Sequence, residues 1–367
     1  MTAARDWLAK IKSLPMGETV KIMNVCGGHE RTIALSGLRS VLPEYVELIA
    51  GPGCPVCVCP EEDVFQAIQL ALQSRAMLVA FGDMLRVPVN VPKREVRSLE
   101  QAKAEGADVR PVASPREAVQ LALRHPEREV VFFAAGFETT MAPVAASLLE
   151  GAPGNLSLLL SGRLTWPAVR MLLDSKDMRL DALIVPGHVA TVMGLEEWSF
   201  IVGEFGLPAA AAGFTPDSLL AAIYSVLRQR MDGTLFLDNC YAHVIRPEGN
   251  PSARAQLQRA FDIIGANWRG VGFIPESGYT LRWPFEYHDA RNRFPDFARD
   301  GRKRVGEMPA GCDCARVVLG KIKPTECKLY GIACTPRSPV GPCMVSDEGA
   351  CRIGWASGKR PHVAFPH

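Results

Sequence analysis

Short runs of consecutive apolar residues alternate with helical patterns over the first two thirds of the chain. The runs with the length and composition of strands are residues 21–25, 45–50, 77–81, 130–135, 156–160, 182–185 and 207–212. Unbroken apolar runs of this length, separated by helices, are typical of a parallel sheet that is covered on both faces. The pattern therefore predicts an α/β fold.

Two of the predicted helices carry clear start signals. Ser114 can cap a helix whose first residue is a proline and whose Glu117 can reach back to the capping backbone. Thr215 followed by Pro216 repeats the cap and the proline. Both signals indicate helices that begin just past a strand and a turn.

The length and texture of the chain indicate how it divides. Its 367 residues are enough for two or three domains. A polar break at residues 125–128 favours a boundary there, and the helical pattern at residues 252–264 gives way to little periodicity over residues 265–304. We predict an α/β domain over residues 20–128, a second over 129–250, and a cysteine-rich C-terminal region over 251–367.

Composition limits the functions that this chain can have. Hydrophobic residues make up 48% and charged residues 22%, so the chain can bury a sizeable core. The 41 basic and 39 acidic residues are interspersed, and we expect no nucleic-acid partner. No apolar run reaches the roughly 18 residues of a membrane span, and no signal-peptide pattern is found at the start. We therefore expect a cytoplasmic protein that does not enter membranes.

Cysteine is the residue type that points to chemistry. In a reducing cytoplasm, 11 cysteines indicate metal binding or redox catalysis more than a framework of disulfides. Six of them lie close together near the C-terminus: Cys312, Cys314, Cys327, Cys334, Cys343 and Cys351. Their spacing lacks the two C-x2-C knuckles of a zinc ribbon, and no histidine accompanies them. The pattern favours a [4Fe–4S] cluster held by four thiolates, with a zinc site and two spare thiols as the alternative.

A second group of thiols follows the apolar run at residues 45–50. Cys54 and Cys57 form a C-x-x-C pair on a loop before a helical pattern that begins at Glu61. Unpaired N–H groups at a helix start stabilise thiolates, so the pair can cycle between dithiol and disulfide. It can also provide half of a zinc site, but beside an electron-carrying cluster redox chemistry is the better interpretation.

Other polar groups also follow predicted strands. Cys26 and His29 come after residues 21–25 and are separated by two glycines, which allow a ligand to approach the backbone. A thiolate and an imidazole can bind a metal, although a buried cysteine and a hydrogen-bonded turn histidine are the more common arrangement. Glu138, at a predicted helix start, is by default a helix cap. The carboxyl ends of parallel strands would bring these loops to one edge of a sheet.

Six short motifs, taken in order along the chain, resemble the HypD family of [NiFe]-hydrogenase maturation proteins. They are CGGHE at residues 26–30, GPGCPVC at 51–57, GFETT at 136–140, PGHV at 186–189, IPESG at 274–278 and GPCMV at 341–345. Six motifs in register over nearly the full chain are far more specific than any one of them alone.

The resemblance implies both a fold and a function. The fold is two Rossmann-like parallel-sheet domains and a cysteine-rich C-terminal region that holds a [4Fe–4S] cluster. With a HypC-type small chaperone, such a protein is the scaffold on which the Fe(CN)2CO group of [NiFe]-hydrogenase is assembled, and a HypE-type protein donates the cyanide. We expect a monomer before these complexes form.

The resemblance also implies roles for individual residues. Cys26, with His29 beside it, would bind the transient Fe(II) that carries CN and CO ligands. Cys54 and Cys57 would be the redox-active pair, and Glu138 becomes a candidate catalytic residue. The cluster ligands that the resemblance favours are Cys312, Cys327, Cys334 and Cys351, with Cys314 and Cys343 as alternates.

Two other functions would use some of the same residues. A cluster-dependent protein disulfide reductase, resembling ferredoxin:thioredoxin reductase, would use Cys54, Cys57 and the C-terminal thiolates but would give Cys26 and His29 no task. A zinc-stapled α/β adaptor would have no redox chemistry. Metal analysis, and infrared spectroscopy of the protein with its partner, distinguish these functions.

Overall fold

The computed structural model describes residues 3–175, 177–297 and 308–359 of the chain. Its strands, numbered along the chain, are β1 (Val20–Asn24), β2 (Val46–Ala50), β3 (Met77–Phe81), β4 (Val109–Val112), β5 (Val130–Gly136), β6 (Leu156–Gly162), β7 (Ala182–Pro186), β8 (Ala209–Ala212), β9 (Leu237–Asn239), β10 (Phe261–Trp268) and β11 (Gly272–Leu281). Its α-helices are α1 (Ala3–Lys12), α2 (Gly27–Leu35), α3 (Leu38–Val41), α4 (Pro55–Val58), α5 (Glu61–Gln73), α6 (Leu99–Ala104), α7 (Pro115–Arg124), α8 (Glu138–Leu149), α9 (Thr165–Asp174), α10 (Gly187–Met193), α11 (Phe200–Gly203), α12 (Pro216–Asp232), α13 (Pro251–Ala260), α14 (Ala290–Arg293), α15 (Cys314–Val318) and α16 (Ala350–Ala356). Short 3-10 helices cover Gly82–Arg86, Glu196–Trp198, Phe285–His288, Pro324–Glu326 and Pro342–Met344. None of these described helices is both long and apolar enough to cross a membrane.

Two parallel sheets contain most of the described strands. Their orders are β2-β1-β7-β8-β9 and β4-β3-β5-β6. The strands expected from the seven apolar runs are all present, which confirms the α/β prediction. The strands β5, β6 and β7 are buried at every residue, as expected for parallel strands with helices on both faces. The short strands β4 and β9 have no such run, and the pattern does not predict them.

The two sheets do not follow the predicted domain boundary at residue 128. After β2 the chain leaves the first sheet, builds the second from β3 to β6, and returns with β7, whose Ala182 pairs with Ile22 of β1. Residue 128 lies between β4 and β5, and β3 pairs with both of them. Strands on both sides of residue 128 therefore belong to one sheet, because a polar break marks a connection but not which strands pair; the division into domains stays a prediction.

Beyond the parallel sheets the chain forms an antiparallel hairpin that the pattern does not predict. The helix expected over residues 252–264 ends at Ala260, and β10 then pairs with β11. Strand β10 exposes neighbouring residues on both faces, so it lacks the apolar–polar alternation of a half-buried strand. Residues 269–271, which connect β10 to β11, are called the hairpin tip below.

The cysteine-rich C-terminal segment docks on the loops at the carboxyl ends of β1 and β2. Helix α16 packs against α2, while α15 and the 3-10 helix Pro342–Met344 pack against α4. Cys314, Cys343 and Cys351 share one buried core with residues of α4. The segment has few apolar residues of its own, so it relies on the α/β part of the chain for a core.

Candidate functional site

Two loops meet at the carboxyl ends of the neighbouring strands β1 and β2. Gly51 N donates a hydrogen bond to the Asn24 carbonyl (2.8 Å), and Gly27 N donates to the Gly53 carbonyl (3.0 Å). A Cβ at Gly53 would lie 2.4 Å from Cys26 Cα, so glycine is needed for this approach. The glycines of the two motifs therefore bring Cys26 next to the C-x-x-C pair.

A cavity of about 10 Å³ lies where these loops meet the C-terminal segment. This volume has room for about one water molecule or one ion. Its lining includes thiol-bearing, acidic and amide side chains: Cys26, Cys54, Cys57, Asn24, Glu30 and Glu348. Cysteines from two separate strand ends thus face one space, which is the arrangement expected for loops at one edge of a parallel sheet.

Cys26 is half-buried and occupies the N-cap position of α2. Burial raises the pKa of its thiol to about 12, and the carboxyl group of Glu348 raises it further. The backbone N–H groups of His29 and Gly28 lower this pKa but do not outweigh burial. Cys26 is therefore a neutral thiol here, and a cation in the cavity would favour its thiolate.

His29 does not belong to the cavity lining and instead holds α2 against β8. Its Nε2 donates to the Ala212 carbonyl (2.9 Å), since a carbonyl oxygen only accepts. The buried Nδ1 atom has no hydrogen-bond partner among the described residues. Burial lowers the pKa of His29 to about 4, so the ring is neutral. His29 can orient the first turn of α2 beside Cys26, and its role as an iron ligand stays a prediction.

Asn24 and Glu30 add polar groups to the cavity that thiol spacing does not predict. Glu30 accepts two hydrogen bonds from Arg39 (2.8 and 2.7 Å) and one from Asn24 Nδ2 (3.2 Å). Asn24 Oδ1 is buried and has no hydrogen-bond partner within the described part of the chain. The Glu30 carboxylate is therefore fixed, and Asn24 Oδ1 is available as an acceptor. The sequence feature that could have indicated Glu30 as a residue of this site is its place in the CGGHE motif.

Glu348 is the second acidic residue at the cavity and comes from the C-terminal segment. A Cβ at Gly27 would lie 2.4 Å from Glu348 Cβ, so Gly27 allows this close contact. Burial raises the pKa of Glu348, and the charge of Asp83 adds to the effect. Sequence reasoning missed Glu348 because it concentrated on sulfur ligands. The sequence feature that could have indicated Glu348 is its position between Cys343 and Cys351.

Cys54 and Cys57 form a disulfide, with an S–S distance of 2.03 Å. Cys54 is the N-cap of α4, and its Sγ accepts a hydrogen bond from the Cys57 N–H (3.2 Å). The two residues are only 4% and 2% exposed. The disulfide therefore faces the cavity and the C-terminal cysteines rather than solvent.

Thiols of the C-terminal segment contact one another. Cys314 is hydrogen-bonded to Cys312, Cys343 and Cys351, and Cys343 is hydrogen-bonded to Cys351. The hydrogen bond with Cys314, followed by that with Cys351, lowers the pKa of Cys343 well below its ordinary value. A Cβ at Gly341 would lie 2.5 Å from Cys314 Sγ and 2.6 Å from Cys312 Sγ. Glycine at position 341 is therefore needed for the close approach of these two sulfurs to the backbone.

Cys327 and Cys334 lie at the margin of this thiol group. Cys334 Sγ accepts a hydrogen bond from the Val340 N–H (3.4 Å), and Cys327 Sγ donates to the Gly311 carbonyl (3.9 Å). The thiols in mutual contact therefore differ from the predicted cluster ligands and include both alternates. The predicted ligands are Cys312, Cys327, Cys334 and Cys351, and the thiols in contact are Cys312, Cys314, Cys343 and Cys351. Which four bind a cluster stays a prediction.

The C-terminal donor set fits an iron–sulfur cluster in its chemistry. The donors are soft sulfur atoms, and backbone N–H groups donate to Cys334 and Cys343, which is a common feature of cluster sites. Among the residues that the structure describes, no three or more Cys, His, Asp or Glu side chains are already arranged around a metal position. The thiols contact one another instead, and the sulfurs of Cys312 and Cys314 pack against Gly341.

Glu138 is not part of the cavity lining and is buried at the start of α8. Its carboxylate accepts hydrogen bonds from the N–H and the hydroxyl of Thr165, both at 2.6 Å. Burial raises the pKa of Glu138 to about 7, and burial followed by the charge of Glu138 raises that of Glu197 to about 7. The structure does not bring Glu138 to the thiols, and its assignment as a catalytic residue stays a prediction.

Several known proteins match this chain over almost its whole length. The family model HypD, described as the hydrogenase formation hypA family, matches residues 2–358. Hydrogenase maturation factor HypD of Rhodobacter capsulatus is 40% identical over 365 residues, which cover 97% of this chain and 95% of that protein. The factor of the same name from Rhizobium leguminosarum bv. viciae is 40% identical over 97% of this chain and 93% of its own length. That of Cupriavidus necator is 38% identical over 94% of this chain and 91% of its own length. The chain therefore belongs to the HypD family of hydrogenase maturation factors.

Proposed function

We propose that this protein is the scaffold on which the Fe(CN)2CO group of [NiFe]-hydrogenase is assembled. A HypC-type small chaperone would be its partner in the complex, and a HypE-type protein would donate the cyanide. One observation carries the proposal: Cys26, Cys54 and Cys57 line one small cavity beside the C-terminal thiols. This arrangement would provide an anchor for one iron atom with a redox-active pair next to it.

The iron that carries CN and CO is the cargo, and Cys26 is the residue that would anchor it. A thiolate is a soft donor, which suits iron with cyanide and carbonyl ligands. A cavity of about 10 Å³ has room for one ion but not for its diatomic ligands. The ligands would therefore lie toward the partner, or the loops around Cys26 would open to receive them.

The acidic groups around Cys26 would favour a cation at this position. Glu30 and Glu348 both line the cavity, and Arg39 holds Glu30 in place. Binding of iron requires the Cys26 thiolate, although burial keeps the thiol protonated without a cation. Loading of the cargo should therefore release the Cys26 proton.

The C-terminal cysteines would place a redox centre against α4. A [4Fe–4S] cluster held by four of the six cysteines would supply single electrons beside the Cys54–Cys57 pair. This pair can hold two electrons as a dithiol and release them as the disulfide, within the cavity that also contains Cys26. Because α15 packs against α4, the pair and the C-terminal thiols keep a fixed relation.

Infrared spectroscopy of the complex tests this proposal. Protein purified anaerobically with its HypC-type partner should show cyanide and carbonyl stretching bands. Cys26→Ala should abolish the bands and retain the iron and sulfide of the cluster. Cys240→Ala is the matched control, because Cys240 lies outside both thiol groups and should retain bands and cluster alike. Bands that persist in Cys26→Ala would show that Cys26 is not the anchor.

The burial of the disulfide disfavours a protein disulfide reductase. Exchange with a protein substrate requires an accessible sulfur, and Cys54 and Cys57 are only 4% and 2% exposed. That function also gives no task to Cys26, which lines the same cavity. Metal analysis tests the third function. Zinc in the purified protein, in place of iron and acid-labile sulfide, would support a zinc-stapled adaptor.

A further inference from the structure

Arg269, at the hairpin tip, is a buried arginine whose hydrogen-bonding capacity is largely unused. Its side chain is 1% exposed. Nη2 donates to the Pro88 carbonyl (2.7 Å) and lies 3.5 Å from Glu61 Oε2. Nε and Nη1 have no hydrogen-bond partner among the described residues. Buried N–H groups without an acceptor cost free energy. The unused donors of this guanidinium therefore point to an anionic partner that would accept hydrogen bonds from them.

The hairpin tip places Arg269 between the two groups of cysteines. Arg269 N donates to the carbonyl of Val58 (3.0 Å), the last residue of α4. The next residue, Gly270, packs so closely on α15 that a Cβ there would lie 2.8 Å from Ala315 Cβ. Ala315 directly follows Cys314, so the hairpin tip packs next to the C-terminal thiol group.

We propose that Arg269 is the fixed positive charge and hydrogen-bond donor of the C-terminal iron–sulfur centre. This inference rests on the cluster of the proposed function. A cluster held by thiolates is an anion, and it becomes more negative when it accepts an electron. A buried cation nearby therefore stabilises the reduced state more than the oxidised state and raises the reduction potential. Arg269 acts on the cluster through its charge and its hydrogen bonds and is not a ligand of the iron.

Glu61 provides an opposing charge next to Arg269. Its side chain is 2% exposed, so water does not screen it, and its Oε2 lies 3.5 Å from Arg269 Nη2. Glu61 Oε1 accepts a hydrogen bond from the Asn90 N–H. Part of the Arg269 charge is therefore offset by Glu61, and removal of this carboxylate should strengthen the effect of Arg269 on the cluster.

The midpoint potential of the cluster in the full chain tests the inference. It can be measured by redox titration followed by electron paramagnetic resonance. Arg269→Met removes the charge and keeps the length of the side chain. The variant should therefore have a lower midpoint potential, with the oxidised state of the cluster favoured by at least about tenfold, which is about 59 mV for one electron. Glu61→Gln should shift the potential in the opposite direction. Arg269→Lys keeps a charge without the planar fork and should fall between Arg269→Met and the wild type.

Arg163→Met is the matched control for a buried arginine. Arg163 lies 3.5 Å from Asp63, and its charge acts on Cys59. Its removal should lower stability but change the redox equilibrium of the cluster by less than about twofold. A potential that is unchanged in Arg269→Met, or that moves equally in Arg163→Met, would overturn the inference.

Loss of the cluster, in Arg269→Met or in the wild type, also has a defined meaning for the role of Arg269. If Arg269→Met cannot hold a cluster, Glu61→Gln decides alone, and an unchanged potential in that variant overturns the inference. Iron and sulfide analysis of the wild type separates this test from that of the proposed function. Absence of both refutes the cluster and the role of Arg269 together, whereas a wild-type cluster with unmoved potentials refutes only the role of Arg269.

Discussion

Replacement of Glu138 with glutamine isolates the effect of one buried acid on stability. The glutamine carbonyl can still accept the Thr165 N–H, and its amide can donate to the Thr165 hydroxyl, so both contacts of 2.6 Å have a substitute. The side chain stays nearly the same size. The substitution therefore removes the titration of residue 138 and little else.

The magnitude follows from the pKa of Glu138. Burial raises it from 4.5 to about 7, and a change of this size corresponds to about 3 kcal/mol. The native state holds the proton more tightly than the unfolded state. The contribution to stability is therefore fully present below pH 4.5 and is lost as the pH rises through about 7. The charge of Glu138 also raises the pKa of Glu197, so Glu138→Gln should lower that pKa too.

Urea unfolding of the full chain, followed by circular dichroism from pH 4.5 to pH 8, measures this difference. At pH 4.5 the wild type and Glu138→Gln should have similar free energies of unfolding. At pH 8 the variant should be more stable by about 3 kcal/mol, because it no longer loses the contribution of a buried acid. Curves that stay parallel over this range would refute the reasoning.

Three further substitutions test the contacts around the cavity. Gly27→Ala should place a methyl group against Glu348 and cost about 1–3 kcal/mol, seen as faster proteolysis of the C-terminal segment; a wild-type rate would contradict the packing. Arg39→Met should leave the Glu30 carboxylate without its two hydrogen bonds and cost about 2 kcal/mol in urea unfolding, and an unchanged midpoint would argue against this ion pair. Cys57→Ser should prevent the disulfide but retain the iron and sulfide of the cluster. Thiol titration of the denatured variant should then give the same count with and without reduction, whereas a count that rises on reduction would point to another disulfide.

The strands and several helix starts could be predicted because their signals are local. Every predicted apolar run contains or overlaps a strand, and the hydroxyls of Ser114 and Thr215 accept hydrogen bonds from the first turns of α7 and α12. The division between the sheets could not be predicted, because the pairing of Ile22 with Ala182 joins strands that are far apart in the sequence. Local patterns carry no information about such pairing.

The candidate site shows the same difference between local and long-range signals. Cys26 and the C-x-x-C pair could be placed together because both follow strands of one parallel sheet. Glu348 and Arg269 come from distant segments. The contact of Glu348 with the cavity and that of Arg269 with α4 depend on how the C-terminal segment and the hairpin dock. The hairpin itself lacks an alternating pattern. Spacing also could not choose among the six C-terminal thiols, since it does not say which sulfurs converge.

Mössbauer spectroscopy of the complex, prepared with isotope-enriched iron and the HypC-type partner, tests most directly whether the protein holds both an iron–sulfur cluster and a separate iron cargo anchored by Cys26. We expect two components, one from an iron–sulfur cluster and one from low-spin iron with strong-field ligands. Cys26→Ala should remove only the low-spin component. A single cluster component in the wild type, or a low-spin component that persists in Cys26→Ala, would contradict the assembly of the cargo on Cys26.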